Sequence, residues 1–499
     1  LPVRLTNFTA PGEPDELVIE GPRFVAARDP DSPTLDLNGA ELLPPRVDAH
    51  CHVLPSGLDL LRPDFGDCRT HEEALEKLRE AAQDEATGEW LLGRGYDQNH
   101  FEGQHLSRHQ LDQIVPDRPV LLRHVSGHAS VVNSACLKAA GIGPEEPDPQ
   151  GGTFVRDESG ELTGVLLETA HERVYNRTPE PSHEALVQAI LRAAESMSGY
   201  GIAAAADMMT GYMNLERELL AYREAAEKGA RVRIRLYLQW SPLFGPKAVA
   251  PERLQDLLDG LDESRLAVRG VKLFADGALS SGTAALREPY VYGGTGQLIY
   301  SPTELTRRVQ VASAEGWSVA VHAIGDSAAD LTLDAFESTE EPSRHRIEHA
   351  MMLDDQLIER LAKARCWTVT QPEFLARFGP AYPRHVGPDR TRRIKPHASL
   401  LAQGCRLAFS SDRPIVSGDP QVGIHAASHR PEVFDPEENI SSRQAEWLYT
   451  EAAARALGDH DIGALSPGHE ASFTAVLSDG RRVQVRQGNL DPLKGTICN

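Results

Sequence analysis

His50 and His52, in the stretch VDAHCHV, stand one residue apart. In an extended strand residues two apart share a face, so both imidazoles can turn a nitrogen to one ion while Cys51 points away. Further along, polar residues close other apolar runs: Lys272 and Asp276 in VKLFADG, His322 in VAVHAIGD, His349 in RIEHA, Gln371 in CWTVTQP and Asp412 in AFSSD. An HxH pair alone is as readily two hydrogen-bonded histidines as two ligands. Four histidines and an aspartate at the ends of four runs favour a metal centre, because an ordinary structural explanation would have to hold at each separately. A buried lysine costs about several kcal/mol when charged and unpaired. Lys272 therefore either pairs with Asp276 or Glu168 or is carbamylated by carbon dioxide into an anionic oxygen ligand able to bridge two cations. Its place between the HxH pair and the later histidines favours carbamylation. Imidazole with carboxylate suits zinc best, and iron, manganese or nickel would also fit.

Such residues converge only if a fold brings strand ends together. From Gly201 onward, strand-like runs (201–209, 231–240, 266–277, 317–326, 344–350, 366–372 and 406–412) alternate with stretches of helical periodicity such as LDDQLIERLAKA. Strict alternation implies parallel pairing through right-handed crossovers. With RVDAHCH as the first, the runs number eight, the count that closes a (β/α)8 TIM-like barrel whose C-terminal strand ends carry the active site. About 150 residues separate the first two strands where one βα unit needs roughly 30. The helix at 182–199 is read as the first of the barrel, which leaves an α+β insertion over 57–180, expected to cover the active site. Short β-branched pieces at both chain ends predict a small β-sandwich built from 1–45 and 459–499, with the barrel itself at 46–56 and 181–458.

The 499 residues, 40% hydrophobic and 25% charged, have the composition of a globular protein, and no apolar run is long enough to span a bilayer. A formal charge of −22 argues against a nucleic-acid partner or an anionic membrane surface. Cys51, Cys68, Cys136, Cys366, Cys405 and Cys498 show no CxxC spacing. That pattern, with an N-terminal stretch lacking an apolar signal core, predicts free thiols and cytoplasmic residence. A small-molecule substrate is expected, and a homodimer is one open expectation for the assembly.

The series VDAHCH, VKLFADGALSSGTAAL, VAVHAIGD, RIEHA, QPEF and SSDRP resembles the amidohydrolase superfamily, specifically its amidohydrolase-3 branch, which includes N-substituted formamide deformylases and exoenzyme-regulatory-protein-like hydrolases. HVSGHASVVNSACL and TGVLLETA in the insertion, and IGALSPGHEASF near the end, extend the resemblance over nearly the whole chain. It implies that His50, His52 and Asp412 hold one metal, His322 and His349 a second, and carbamylated Lys272 bridges both. Two departures stand out. Ser280, Ser281 and Gly282 replace a common Gly-Ser-Arg, removing an arginine, and Glu470-Ala-Ser472-Phe replaces a frequent Lys-Ala-Asp-Phe.

Water held by two divalent cations becomes a hydroxide nucleophile near neutral pH. Asp412 is then the expected general base, later returning the proton to the departing amine, and His128 or His124 is expected to hydrogen-bond the oxyanion. Gln371, Asp276 and Tyr96 are the other expected substrate contacts; Asp97 and His100 are further candidates at the pocket mouth. Arg346 and Glu168 pair structurally or touch substrate. The expected activity is metal-dependent hydrolysis of a non-peptide, amide-type C–N bond in a small molecule. The alternatives are a mononuclear deaminase of a ring C=N and a metal-binding regulatory protein with a vestigial site.

Overall fold

The structure is a computed structural model that describes residues 2–10, 16–26, 32–83, 90–125, 127 and 129–497. Eight parallel strands form one sheet: β1 (Arg46–Cys51), β2 (Ile202–Thr210), β3 (Arg233–Gln239), β4 (Leu266–Phe274), β5 (Ser318–Ala323), β6 (Arg346–His349), β7 (Trp367–Thr370) and β8 (Arg406–Phe409), neighbours in that order. The sheet closes just past β8, where Asp412 N–H donates to the His50 carbonyl (2.7 Å) and His52 N–H to the Arg413 carbonyl (2.9 Å). Asp48 locks that seam by accepting the Ser411 N–H (2.9 Å) and hydroxyl. A (β/α)8 barrel results, as the alternation of strand and helix signals predicts.

Alternation along the strands decides what fills the barrel and what faces its helices. Val271, Leu273, Val319, Val321, Ile347, Leu407 and Phe409 pack with the surrounding helices, among them Pro302–Ala314, Asp326–Glu337 and Asp355–Ala364. Their neighbours in sequence turn inward. Register then places Phe274 beside His322, and His322 beside Glu348, on adjacent strands. In mid-barrel, Arg346 lies over the Tyr237 ring (4.9 Å), pairs with Glu348 and donates to the Ala49 carbonyl (2.6 Å). Arg346 is thus a structural partner.

Both chain ends supply strands to a second sheet, ordered Arg482–Val485, Phe473–Val476, Thr34–Leu43, Val3–Thr9, Leu17–Glu20 and Arg23–Val25. It curls back on itself: Phe24 N–H donates to the His469 carbonyl and Gly468 N–H to the Phe24 carbonyl, both at 2.9 Å. Leu5, Ile19, Phe24, Leu42, Phe473 and Leu493 fill the small β-sandwich so formed.

The chain divides into two compact units, Leu1–Ser56 with Ala193–Asn499, and Gly57–Arg192. The second unit is α+β, a five-stranded sheet ordered Leu91–Tyr96, Val120–His124, Ala129–Val132, Leu162–Glu168 and Gly152–Arg156. Its core gathers Phe65, Leu78, Leu91, Tyr96, Leu111 and Leu122. The helix read as first of the barrel spans His183–Gly199. Among the described residues no helix is long and apolar enough to cross a membrane, and Cys51, Cys68, Cys136, Cys366 and Cys405 are buried and unpaired. Cys498 lies outside the described residues.

Candidate metal centre and active site

His50, His52 and Asp412 present ligand atoms that all lie within 4.8 Å of one another. His349 joins them, its ring centroid 4.9 Å from that of His50, and His322 follows at 4.3 Å from His349. Lys272 Nζ sits 3.5 Å from His50 Nε2. Six residues from β1, β4, β5, β6 and the end of β8 therefore meet at one mouth of the barrel.

The partners of each ring select its tautomer. His50 Nδ1 lies 2.5 Å from Glu348 Oε2, a carboxylate pinned by Arg346, so Nδ1 carries the proton and Nε2 keeps its lone pair toward Lys272 and Asp412. His349 Nδ1 donates to Gln371 Oε1 (2.9 Å), freeing its Nε2. His322 Nε2 donates to the Gly277 carbonyl (2.9 Å), so Nδ1 is its free nitrogen. His52 Nε2 approaches Asp412 Oδ1 to 2.8 Å, yet Oδ1 has no hydrogen-bond partner, and neither has His52 Nδ1. Asp412 Oδ1 thus lies 2.8 Å from His52 Nε2 and 3.4 Å from His50 Nε2, and a buried carboxylate oxygen between two imidazole nitrogens is a donor set that suits a cation.

Charge in the site follows from burial and neighbours. Burial raises the Asp412 carboxyl, but His50 and His52 together outweigh it and hold it well below the usual carboxylate range. Burial likewise opposes ionisation of Glu348, and the Arg346 charge with His50 overcomes it, bringing Glu348 to about 2. His322 is pushed down to about 3 by burial and then by Lys272, and His349 falls well below its ordinary value by burial and His322. Both are neutral, as ligands must be. Burial lowers Lys272 to about 8 against the pull of Glu348 and Asp412. Among the described residues of its unit, no carboxylate lies within ion-pairing distance of Nζ.

Backbone conformation completes the placement. His349 (φ 71°), Ala350 (φ 43°) and Asp412 (φ 63°) are left-handed, a region that non-glycine residues seldom adopt and that gathers at functional sites. Strand alternation would send His349 to the face opposite Glu348. The left-handed turn brings it back to the mouth.

The structure gives the residues expected to touch substrate the following places. Asp276 is buried, and its carboxylate accepts the N–H groups of Ala285 (2.9 Å), Ile324 (2.9 Å) and Gly325 (2.8 Å), which organises the loops after β4 and β5. It does not pair with Lys272. Gln371 is fully buried and wholly engaged: Oε1 accepts from His349 and from Lys395 Nζ (3.2 Å), and its amide donates to Ser410 Oγ (3.1 Å). Tyr96 is a core residue of the Gly57–Arg192 unit whose hydroxyl accepts the Leu106 N–H (2.8 Å), and burial lifts it to about 12. His124 ends a strand of that same unit, 3.6 Å from Asp97; His128 lies outside the described residues. Cys51 turns from the ligands to the Ala206 carbonyl (3.2 Å).

Sequence reasoning passed over Glu348 and Lys395. The first was findable, since Arg346 and Glu348 are same-face neighbours on a strand that ends in a ligand. Nothing local marks Lys395, which becomes relevant only when its segment packs behind Gln371.

A cavity of about 270 Å³ opens onto the centre. The amidohydrolase family profile matches residues 34–499. The Bacillus subtilis (strain 168) protein YtcJ, named as an amidohydrolase, is 33% identical over 94% of this chain and 90% of its own. N-substituted formamide deformylase of Arthrobacter pascens is 26% identical over 90% of this chain and 86% of its own. An uncharacterized metal-dependent hydrolase from Pyrococcus furiosus superposes with a TM-score of 0.79, 28% identity and coverage of 98% and 100%.

Proposed function

The chain belongs to the amidohydrolase family and is a metal-dependent hydrolase; from that premise we propose that it cleaves a non-peptide, amide-type C–N bond of a small molecule. One observation carries the reading: ring nitrogens of His50, His52, His322 and His349, the Asp412 carboxylate and a buried Lys272 meet at one mouth of the barrel. The name of the formamide deformylase relative supports amides as the substrate class. In this reading His50, His52 and Asp412 would hold one divalent cation and His322 and His349 a second, with carbamylated Lys272 as their shared ligand. Zinc suits the donor set best. Lys272 at about 8 supports this role, since only the neutral amine takes up carbon dioxide and burial makes that form accessible near neutral pH.

Bound cations would supply Lewis acidity, making water nucleophilic near neutral pH and polarising the carbonyl. Asp412 accepts the proton of the attacking water as its oxygen bonds the carbonyl carbon. As the C–N bond breaks, the same carboxyl delivers that proton to the departing nitrogen, leaving a carboxylic acid and an amine. Glu348 and Gln371 hold the ligand rings in orientation throughout.

Metal analysis and turnover test the proposal together. Protein reconstituted with zinc and bicarbonate should bind close to two equivalents, and Asp412→Asn should lose turnover on a formamide, acetamide and cyclic-amide panel while keeping most of its metal. One equivalent with conversion of a ring C=N would favour a mononuclear deaminase. Full activity in Asp412→Asn would sink the base assignment.

A further inference from the structure

The wall of the cavity is more selective than its floor. Among its described lining residues Lys272 and Asp412 are the only lysine, arginine, aspartate or glutamate, and both sit at the candidate metal centre. Above them the barrel unit lines the space with Phe274, Leu279, Met351, Phe374, Phe378 and Ile415. Phe374 and Phe378 meet edge to face, with centroids 5.1 Å apart, and Phe374 stacks toward His349 at 6.5 Å. Ile415, three residues after Asp412, leaves 53% of its surface exposed. Ile415 thereby continues the apolar lining of Phe374 and Phe378 outward.

Polar groups on the same wall are sparse and uncharged. Tyr382 lines the cavity, is 3% exposed, and its hydroxyl makes no hydrogen bond to any described residue. Ser280 also lines it and makes no side-chain hydrogen bond among the described residues. Ser280 stands two residues before Gly282 in a stretch that brings no arginine to this wall. Burying an uncompensated carboxylate against such a wall costs far more than burying an apolar group. The net charge of −22 adds a long-range field that opposes anions.

We infer that the substrate of this site, on the amide-hydrolysing reading above, is an electrically neutral amide bearing an aromatic or branched aliphatic substituent. That substituent packs between Phe374, Phe378 and Ile415, while Tyr382 and Ser280 offer it hydroxyls rather than charge. Zwitterionic and acidic amides, such as free dipeptides and N-acyl amino acids, are excluded by the same wall.

Binding and turnover, measured separately on the zinc-loaded protein, test this. N-Benzylacetamide and its 4-sulfonatobenzyl analogue are nearly matched in shape, and sulfonate is a poor metal ligand, so calorimetric titration compares charge at one position. The neutral amide should bind roughly 100-fold more tightly. Phe378→Ala should weaken the neutral amide roughly 10-fold. Ile415→Arg, at an exposed position that tolerates polarity, should narrow the preference by roughly 10-fold. Equal or tighter binding of the sulfonate, or unchanged affinity in Phe378→Ala, overturns the inference. Preferential binding of the neutral amide without hydrolysis leaves the inference standing and removes the amide-hydrolysing reading. Hydrolysis of both analogues with no preference does the reverse.

Discussion

Gln371 sits behind His349. Its carbonyl oxygen takes the Nδ1 proton of His349, and Lys395, held also by Thr370 Oγ1 at 2.8 Å, fixes that oxygen from the other side. Partners of this kind set tautomer and ring angle, and their loss typically weakens metal binding 10- to 100-fold. Gln371→Leu should therefore lower the affinity of the weaker-bound equivalent of zinc by roughly 10- to 100-fold in chelator competition. Gln371→Glu, which keeps the acceptor, should recover part of it. Unchanged zinc affinity in the leucine variant would mean that the ring is oriented by packing alone. The candidate ligands themselves were legible because six polar residues ended or followed apolar runs. Their orienting partners were not, since a glutamine at a strand end reads alike whether it faces substrate or a second side chain.

At the scale of elements, the seam that closes the barrel carries a buried carboxylate beside its backbone hydrogen bonds. Asp48 on β1 receives the Ser411 N–H and hydroxyl beyond the end of β8, and His50 N–H approaches the same carboxylate at 3.3 Å. Removing it leaves buried donors without acceptors, which costs about 1–3 kcal/mol per group. Asp48→Ala should lower the stability of the metal-free protein by about 2–4 kcal/mol, read from urea denaturation. Little change would show that the backbone bonds of residues 412–413 close the seam unaided. The loops obey the same logic: Glu373 accepts N–H groups from Ser417 and Gly418 at 3.1 Å each, tying the segment of Phe374 and Phe378 to that of Ile415. Strand and helix order was readable from periodicity. The left-handed turns at His349 and Asp412 were not, because ordinary propensity assigns those conformations to glycine.

For the whole molecule, buried charge joins the barrel strands to the last stretch of the chain. Arg235, from β3, is almost fully buried and chelated by Asp459 through three contacts of 2.7–3.0 Å, while Arg233 reaches Asp461 and Glu470, each at 2.7 Å. A buried ion pair adds little net stability, yet deleting one member strands the other. Asp459→Ala should destabilise the protein by about 3–5 kcal/mol. The double variant Arg235→Met, Asp459→Leu should lie much nearer the parent in its urea midpoint. A double variant as damaged as the single would show that the pair contributes more than mutual neutralisation.

By itself the sequence determined the (β/α)8 barrel and the sandwich strands at both ends and brought forward the candidate ligands, because alternation, helical spacing and strand-end polarity are periodic, local signals. Tertiary structure alone gave Asp276, Gln371 and Tyr96 their hydrogen-bond partners within the protein and set Glu348 and Lys395 behind the candidate ligands. It also assembled the apolar wall of Phe274, Phe374, Phe378 and Ile415 from the loops of several strands. A side chain's type says what it can bond; its partners come from residues tens to hundreds of positions away, and only closure of the barrel brings them within 3 Å.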